Sequence, residues 1–411
     1  MTTPPLGPRD PHPGDLPEFG PLGGRLGDQL RGGDAPLAFE RDPLADALGG
    51  RDDASRRGPE RRGADRRGDA RRAAERRSAE RRSGAGGASG ADSYLSRMLQ
   101  GTGDAMREAE RDGVAGQVLF GNPSVVPTEP LYYPLTPAQT ALLVREALHE
   151  DEAFNDVTTL ATVLSGRHAR GRLVARQPGV LAGVALAIEA FRQIDPRINV
   201  RVDVVDGGAL TPGMPVLFLS GHARGILSAE RVALNFLQRL SGIASLTNRY
   251  VKAVEGTGAR ILDTRKTTPG WRKLEKFAVR AGGGMNHRLD LATAVLIKDN
   301  HLAAVDGDVA FAVRRARDLA PEGARVEVEC DTRAQVEAAL EAGADVIMLD
   351  NMSLDDMREC AALCAGRAIT EASGGVRLDT VRAIAETGVN WISVGALTHS
   401  APALDLALDF E

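Results

Sequence analysis

The 411-residue chain is long enough for about two or three domains, and its formal net charge of −5 combines two regions of opposite sign. Residues 56–82 contain twelve Arg and five acidic residues, a net of +7, so the remainder carries −12. This acidic balance argues against nucleic acid as the substrate of the globular part. Three cysteines without a CxxC spacing, and the lack of an apolar signal or membrane-length segment, predict a cytoplasmic protein.

The N-terminal region is rich in Pro, Gly, Asp and Arg, and an Arg-Arg pair recurs every five residues from Arg56 to Arg82. A five-residue period matches neither a helix nor a strand, so the composition predicts a disordered low-complexity extension over residues 1–125. The Arg-rich arm could attract RNA or another polyanion, but its interspersed acids favour a solvated extension. One short amphipathic helix is predicted at residues 91–112.

The globular part is predicted to begin near Tyr132, with a helix opened by Thr136 as its cap and Pro137 in its first turn. Short apolar runs around a further helix predict an α/β sandwich domain over residues 126–240. The predicted strands are 173–176, 200–205 and 215–219, and the helix between them is 184–194.

A long helix is predicted next, from Ala229 to about Glu255, with Ser228 as its N-cap. At the end of the chain, Ala403–Phe410 alternates Leu with polar residues. This alternation predicts an edge strand that returns to the sandwich, so that residues 402–411 join the first domain.

From residue 259 to 396 the pattern becomes strand, loop and helix, repeating about every 20 to 35 residues. Six or so such units predict a parallel sheet, closed into an incomplete α/β barrel over residues 241–401. Catalytic groups lie at the carboxyl ends of barrel strands. The apolar runs end at Asp263–Lys266, Lys298–His301, Glu329, Asp350–Asn351, Ser373–Gly375 and Gly395.

Cations come from three of the loops in this region. A buried unpaired charge is costly, so their convergence indicates an anionic ligand. Arg suits a bidentate grip on a carboxylate, and Lys suits a phosphate. A surface ion pair with Asp263 and a flexible surface loop after Gly282-Gly283-Gly284 are the alternatives. The cations are Arg265, Lys266, Arg288 and Lys298, with His287 beside Arg288.

Two carboxylates, Glu329 and Asp350, end successive strands and are expected side by side at the rim. Such a pair can bind Mg²⁺, bond to sugar hydroxyls or balance a developing positive charge. Neutralisation of Lys298 and Lys266 is the structural alternative. Glu327, two residues earlier, is placed on the opposite face of its strand and receives less weight.

Glycines follow the last two predicted strands, in Ser373-Gly374-Gly375 and in Val394-Gly395-Ala396. Phosphate sites in α/β barrels are often built from backbone N–H groups of these loops. The pair of loops therefore predicts a site for a phosphomonoester.

Several motifs, in order over about residues 132–411, resemble the quinolinate phosphoribosyltransferase family. The resemblance implies an α/β sandwich beside an incomplete barrel of the type II phosphoribosyltransferase kind, in a homodimer or dimer-based assembly. The motifs are Glu230-Arg231-Val-Ala-Leu-Asn235, Leu240-Ser-Gly-Ile-Ala244, Asp263-Thr-Arg-Lys-Thr267, Gly282-Gly-Gly-Met-Asn-His-Arg288, Ile297-Lys-Asp-Asn-His301 and Glu371-Ala-Ser-Gly-Gly375.

The resemblance implies that quinolinate reacts with phosphoribosyl pyrophosphate, with Mg²⁺, to give nicotinate mononucleotide, pyrophosphate and CO₂. It implies catalytic roles for Lys266, Glu329 and Asp350, and Mg²⁺ binding by the two carboxylates, directly or through water. It also implies that Arg231 reaches the neighbouring subunit's site. The implied substrate-binding residues are Arg231, Thr264, Arg265, His287, Arg288, Lys298, Ser373, Gly374, Gly375, Val394, Gly395 and Ala396.

Two alternatives stay open. One is a paralogous phosphoribosyltransferase for another acceptor, such as nicotinate or a molybdenum-transport-associated substrate. Three cations expected to bind the acid favour quinolinate, a dicarboxylate, over these other acceptors. The other is a non-catalytic binding protein whose function resides in the Arg-rich arm.

Overall fold

The structure, a computed structural model, describes residues 131–321 and 323–411. The predicted extension over residues 1–125, its Arg-rich arm, the helix at 91–112 and the first residues of the sandwich domain lie outside the described residues. Among the residues that are described, no helix combines the length and apolar character needed to cross a bilayer.

The first described helix, α1 (Pro137–Glu150), begins where the sequence predicts. Thr136 Oγ1 accepts a bond from the backbone N–H of Gln139, and the Gln139 side chain accepts one from the Thr136 N–H. This reciprocal capping satisfies two N–H groups that would otherwise lack partners. A 3₁₀ turn (Ala153–Asn155) and a short helix, α2 (Val157–Thr162), follow.

A four-stranded antiparallel sheet forms the first layer. Its strands, in spatial order, are β12 (Leu406–Phe410), β1 (His168–Ala175), β5 (Pro215–His222) and β3 (Asn199–Val202). Helix α3 (Val184–Ile194) carries a nearly continuous run of buried side chains and matches the predicted helix. Strand β12 pairs along the edge of β1, which confirms the predicted return of the C-terminal tail. Two shorter strands, β2 (Gly179–Val180) and β4 (Ala209–Leu210), form a separate antiparallel pair.

Helix α4 (Ala223–Ala253) links the two layers and is longer than predicted. The prediction that Ser228 caps it is wrong, because β5 leads directly into the helix at Ala223 and Ile226 is already buried there. The Ser228 hydroxyl instead donates a bond to Asp156, 3.0 Å away, which ties α4 to the start of α2.

The second sheet contains six parallel strands. In spatial order they are β6 (Arg260–Leu262), β11 (Trp391–Ser393), β10 (Ile369–Ser373), β9 (Val346–Asp350), β8 (Val326–Cys330) and β7 (Val295–Ile297). Met285 pairs with Leu262 of β6 and extends the sheet beyond its first strand. Such an arrangement is the predicted incomplete α/β barrel.

Helices alternate with these strands and bury one face each against the sheet. Because all six strands run in the same direction, their carboxyl ends meet at one mouth of the barrel. The helices are α5 (Arg272–Ala281), α6 (Asp299–Ala303), α7 (Val309–Leu319), α8 (Arg333–Glu341), α9 (Leu354–Cys364), α10 (Val381–Ala385) and α11 (Ala396–His399).

Candidate active site

Two arginines from different loops lie close together at the barrel mouth. Arg265 follows β6, and Arg288, 6% exposed, lies in the loop before β7. Burial and the neighbouring Arg265 lower the pKa of Arg288. The Nε atoms of both guanidinium groups are buried and have no hydrogen-bond partner among the described residues. Buried, unpaired Nε donors on two neighbouring cations, of which Arg265 is half-buried and Arg288 buried, indicate a site for an anion.

Lys298 begins the loop after β7 and forms an ion pair with Glu329 of β8, with 2.7 Å between Nζ and Oε2. The two strands are neighbours in the sheet. The Lys298 side chain is 45% exposed and that of Glu329 is 14% exposed, so the ammonium group remains accessible to a ligand. Glu329 therefore neutralises Lys298, as the structural alternative expects, but the Lys298 ammonium is still accessible.

Asp350 ends β9 and accepts a hydrogen bond from the Asn351 side chain at 2.7 Å. The backbone N–H of Asn351 donates to the Ser373 carbonyl at the end of β10, 3.1 Å away. Gly374 has a φ of +93°, and a Cβ there would lie 2.2 Å from Asn351 Oδ1. Glycine at 374 is required both by this conformation and by the close approach of the β9 loop.

Lys266 lies beside the last glycine loop. A Cβ on Gly395 would be 3.2 Å from Lys266 Cδ, and Thr398 donates a bond to the Lys266 carbonyl at 2.8 Å. Thr264 Oγ1 accepts a bond from the Lys266 backbone N–H, 3.1 Å away. Val394 is buried and bonds to the Leu262 carbonyl, and Ala396 begins α11. These contacts join the carboxyl ends of β6 and β11, the first and last strands of the barrel.

Arg231 lies apart from these groups, on the exposed side of α4. Its neighbours Val232 and Ala233 face the core. Within residues 131–321 and 323–411, no hydrogen bond or ion pair connects Arg231 to the barrel mouth.

A buried polar network, centred on Asp263, supports the loop that carries His287 and Arg288. The Asp263 carboxylate accepts bonds from Lys276 Nζ, Asn286 Nδ2 and the backbone N–H of His287. Burial raises the pKa of Asp263 and lowers that of Lys276, while their ion pair opposes both shifts. Lys276 also donates to the His287 carbonyl at 2.9 Å. Sequence reasoning missed Lys276, because its burial depends on how α5 packs.

Glu327 points into the barrel, and the expectation that it lies on the opposite face from Glu329 is wrong. Side chains two residues apart in a strand share a face. Glu327 is 5% exposed, with its Oε2 atom 3.1 Å from His287 Nε2, and Glu371 of β10 lies 3.5 Å from the same nitrogen. Burial and the Glu371 carboxylate raise the pKa of Glu327.

His287, Glu327 and Glu371 have the ligand types of a metal site, with potential donor atoms within 4.8 Å of one another. The hydrogen bonding of His287 argues against a metal there. Its Nδ1 atom accepts a bond from the backbone N–H of Arg288 at 2.8 Å. Burial opposes a charge on His287, but the Glu371 and Glu327 carboxylates outweigh it and raise the pKa to about 10. With Nδ1 facing the Arg288 N–H, the ring carries a proton on Nε2, the atom that would have to bind the metal.

Comparisons with known proteins agree with the family resemblance of the sequence motifs. The family model described as quinolinate phosphoribosyl transferase, N-terminal domain, matches residues 156–241, and the corresponding C-terminal domain model matches residues 243–409. A probable nicotinate-nucleotide pyrophosphorylase (carboxylating) from Bacillus subtilis is 42% identical over 271 residues, which cover 66% of this chain and 93% of the relative.

A nicotinate-nucleotide pyrophosphorylase (carboxylating) from Mycobacterium leprae is 46% identical over 274 residues, covering 65% of this chain and 95% of that protein. The solved nicotinate-nucleotide pyrophosphorylase from Francisella tularensis aligns with a TM-score of 0.64 at 38% identity, over 68% of this chain and 99% of its own. The chain described here belongs to the quinolinate phosphoribosyl transferase family.

Proposed function

We propose that the chain transfers a phosphoribosyl group from phosphoribosyl pyrophosphate to quinolinate, with decarboxylation to nicotinate mononucleotide. Relatives that are 42% and 46% identical are named carboxylating nicotinate-nucleotide pyrophosphorylases. The observation that carries the assignment of the acceptor is the adjacent Arg265–Arg288 pair, whose buried Nε donors have no partner among the described residues. A ligand with two carboxylates suits two guanidinium groups and a nearby ammonium.

Quinolinate is held in this proposal by Arg265, Arg288 and Lys298, which come from the loops after β6, before β7 and after β7. Arg288 is fixed by a bond from Nη1 to the Ala294 carbonyl at 3.0 Å, and Lys298 by its ion pair with Glu329. These contacts pre-organise the cations, so less entropy is lost when the acid binds.

The phosphoribosyl donor is assigned to the other half of the mouth. Lys266 would hold the pyrophosphate, and the loops Ser373–Gly375 and Val394–Ala396 would receive the 5′-phosphate. The close approach of the Lys266 side chain to the backbone at Gly395, and the bond from Thr398 to the Lys266 carbonyl, support a shared phosphate-binding surface. Backbone N–H groups of the last barrel loops commonly bind phosphate.

Glu329 and Asp350 are assigned to the ribose, where their charge would stabilise the cationic centre that develops as the bond to pyrophosphate breaks. Lys298 binds one carboxylate oxygen of Glu329, and Asn351 binds one of Asp350. The second oxygen of each carboxylate therefore suits a cation that prefers oxygen ligands. They would hold Mg²⁺ directly or through water, and the ion would supply charge neutralisation for the departing pyrophosphate.

Decarboxylation requires no organic cofactor in this scheme. The ring nitrogen of quinolinate attacks the ribose C1 and becomes a pyridinium. The C2 carboxylate then leaves as CO₂, its bonding electrons remain at C2 beside the cationic nitrogen, and a proton adds there. The protein's part is to hold the remaining carboxylate and to keep the ring aligned with the ribose.

A homodimer with shared active sites is the proposed assembly. Arg231 is exposed on α4, and a strongly exposed apolar group lies on and beside α2, with Val157 76%, Leu160 51% and Leu164 81% exposed. Arg224 of α4 bonds to the Val163 carbonyl at 2.7 Å and joins the two elements. Contiguous apolar exposure of this kind marks a protein interface.

Complementation tests the shared site. Arg231→Ala and Lys298→Ala are each expected to be inactive alone. Mixed dimers of the two contain one site with both native residues, so activity returns on mixing. Two inactive variants that stay inactive after subunit exchange would place Arg231 outside the neighbouring site.

The three cysteines, Cys330, Cys360 and Cys364, are buried free thiols. Free thiols support the proposal of a reducing, cytoplasmic location.

The reaction itself is tested with purified protein, phosphoribosyl pyrophosphate and Mg²⁺, and either quinolinate or nicotinate as acceptor. We expect turnover of quinolinate alone. Equal turnover of nicotinate would replace this proposal with the paralogous transferase.

A further inference from the structure

Glu275 is a buried carboxylate in the first turn of α5, with a side chain that is 0% exposed. Its Oε2 atom accepts a bond from the backbone N–H of Thr268 at 3.1 Å. Its Oε1 atom accepts one from the Thr268 hydroxyl at 2.8 Å and one from Arg239 Nη2 at 3.2 Å. Because the carboxylate has no exposed surface, it cannot touch a substrate and acts only through these two partners.

Thr268 connects Glu275 to the loop that follows β6, two residues after Lys266. The loop turns immediately afterwards, where the Trp271 N–H donates to the Thr268 carbonyl at 3.0 Å. Both the backbone and the side chain of Thr268 are therefore held. Consecutive Cα atoms are only about 3.8 Å apart, so this restraint limits where Lys266 can lie.

Arg239 of α4 connects the same carboxylate to the segment that follows the last barrel strand. Its guanidinium group donates to the carbonyl of Thr398 in α11 and, at 2.9 Å, to that of Ala401. The Thr398 hydroxyl donates in turn to the Lys266 carbonyl at 2.8 Å. Glu275 therefore reaches Lys266 by two routes, one along the loop after β6 and one through α4 and α11.

Packing between α4 and α5 fixes the helices that carry this network. The rings of Phe236 and Trp271 are stacked, with 5.3 Å between their centroids and 17° between their planes. The ion pair of Glu275 and Arg239 adds a charge-assisted contact between the same two helices. Buried ion pairs contribute little net stability compared with apolar residues of similar size, so a role in position explains this pair better than a role in stability.

We propose that Glu275 is a positioning residue for the pyrophosphate group of the phosphoribosyl donor, and that it acts by fixing Lys266. This inference deepens the proposed function and rests on its assignment of Lys266 to pyrophosphate. Two of the three proposed acid-binding cations, Arg288 and Lys298, are held by contacts outside this network. Loss of the Glu275 carboxylate should therefore affect the donor more than the dicarboxylate.

The first test compares Glu275→Gln with the native chain by calorimetric titration with pyrophosphate in the presence of Mg²⁺. The amide keeps the shape of the side chain but sets an NH₂ group against donors that the carboxylate accepts. We expect pyrophosphate affinity to fall roughly 5- to 150-fold, the usual cost of a buried polar group left unpaired, and quinolinate affinity to fall much less. Glu337→Gln, at an exposed ion pair of α8, is the matched control and should change neither affinity. Unchanged pyrophosphate affinity in Glu275→Gln, or equal loss of both ligands, would overturn the proposal.

The second test asks whether Glu275 acts through Lys266. In a Lys266→Ala background, Glu275→Gln should leave the residual pyrophosphate affinity unchanged, because the positioned group is gone and the two effects are not additive. The same fold-loss with and without Lys266 would show that Glu275 supports the fold in general, and would overturn the positioning role.

Thr268 offers a comparison that leaves the buried ion pair intact. Thr268→Val removes the hydroxyl that bonds to Glu275, and Thr268→Ser keeps it. We expect Thr268→Val to weaken pyrophosphate binding about 2- to 12-fold, the net contribution of one hydrogen bond, and Thr268→Ser to match the native chain. Equal affinities for the two variants would contradict the proposal.

Failure of the proposed function gives a different result. Pyrophosphate binding is measured without an acceptor, so a native chain that binds pyrophosphate and does not convert quinolinate would refute the function alone. A native chain that converts quinolinate, with a pyrophosphate affinity that Glu275→Gln does not change, would refute the positioning role alone. Absence of pyrophosphate binding by the native chain would remove the assignment of Lys266 and, with it, the positioning role.

Discussion

Lys298 and Glu329 form an ion pair across neighbouring strands, with Nζ and Oε2 separated by 2.7 Å. The pair joins the proposed acid-binding half of the mouth to the proposed ribose half. Each member has a separate proposed role, so their substitutions should have different kinetic signatures.

Glu329→Gln should lower kcat by roughly 10²–10³-fold, the range seen when one preorganised electrostatic group is removed. KM for quinolinate should be unchanged or lower, because Lys298 is released from its carboxylate partner. Steady-state kinetics with each substrate varied in turn measures both constants. A higher KM for quinolinate with unchanged kcat would mean that Glu329 only positions Lys298.

Arg288→Ala should weaken quinolinate binding by about 2–5 kcal/mol, as truncation of one partner of a buried charge pair does. Calorimetric titration with quinolinate measures this cost directly. Arg314→Ala, an exposed position on α7, serves as the control for loss of one positive charge. Unchanged KM and kcat in Arg288→Ala would remove this residue from the acid site.

Gly374→Ala should weaken binding of phosphoribosyl pyrophosphate and leave quinolinate binding intact. The new Cβ would approach Asn351 Oδ1 to 2.2 Å, which displaces the loop beside Asp350. Gly366→Ala is the matched control, since its φ of +73° is similar and no atom lies within 4 Å. Both variants carry the backbone strain of about 1–2 kcal/mol, so only the difference between them reports on the site.

Alkaline pH should destabilise the protein through its buried thiols. Burial raises the pKa of Cys330 to about 12 and that of Cys364 to about 11, against an ordinary value of 9.0. The unfolded chain loses these protons at lower pH than the folded chain. The free energy of unfolding is therefore unaffected by them below pH 9 and falls as pH rises through 11.

Urea titrations at several pH values measure this slope, with Cys364→Ala as the comparison. The variant lacks one of the titrating thiols and should show a shallower fall above pH 9. Identical slopes for the two proteins would show that the Cys364 thiol titrates alike in the folded and unfolded chains.

Deletion of residues 1–110 should leave kcat and both KM values unchanged. The family models match residues 156–241 and 243–409, and the proposed site residues all lie within 231–396. Turnover of the truncated and full chains at equal concentration gives the comparison. A large loss of activity would assign residues 1–110 a part in the reaction.

Much of the fold was predictable because hydrophobic periodicity is local. Helix α3 matches its predicted bounds, and the alternation in Ala403–Phe410 correctly indicated the edge strand β12. The start of α4 was mispredicted because Ser228 has the chemistry of an N-cap. Its hydroxyl is used instead by Asp156, a residue 72 positions away that local reasoning does not connect to it.

The candidate site was predictable where residues end strands, since the carboxyl ends of parallel strands share one mouth. Its supporting residues were not. Lys276 belongs to a helix, and its buried contact with Asp263 depends on how α5 packs. The sequence assigns Glu327 to the wrong face of its strand, and the proximity of Glu327 to His287 and Glu371, which come from two other segments, requires coordinates.

The most direct measurement of the central claim is the stoichiometry of one reaction, with quinolinate labelled by ¹³C in its C2 carboxylate. In the presence of phosphoribosyl pyrophosphate and Mg²⁺, we expect labelled CO₂, pyrophosphate and nicotinate mononucleotide to form in equal amounts. Absence of labelled CO₂, or of the mononucleotide, would contradict the assignment of this chain as a decarboxylating phosphoribosyltransferase.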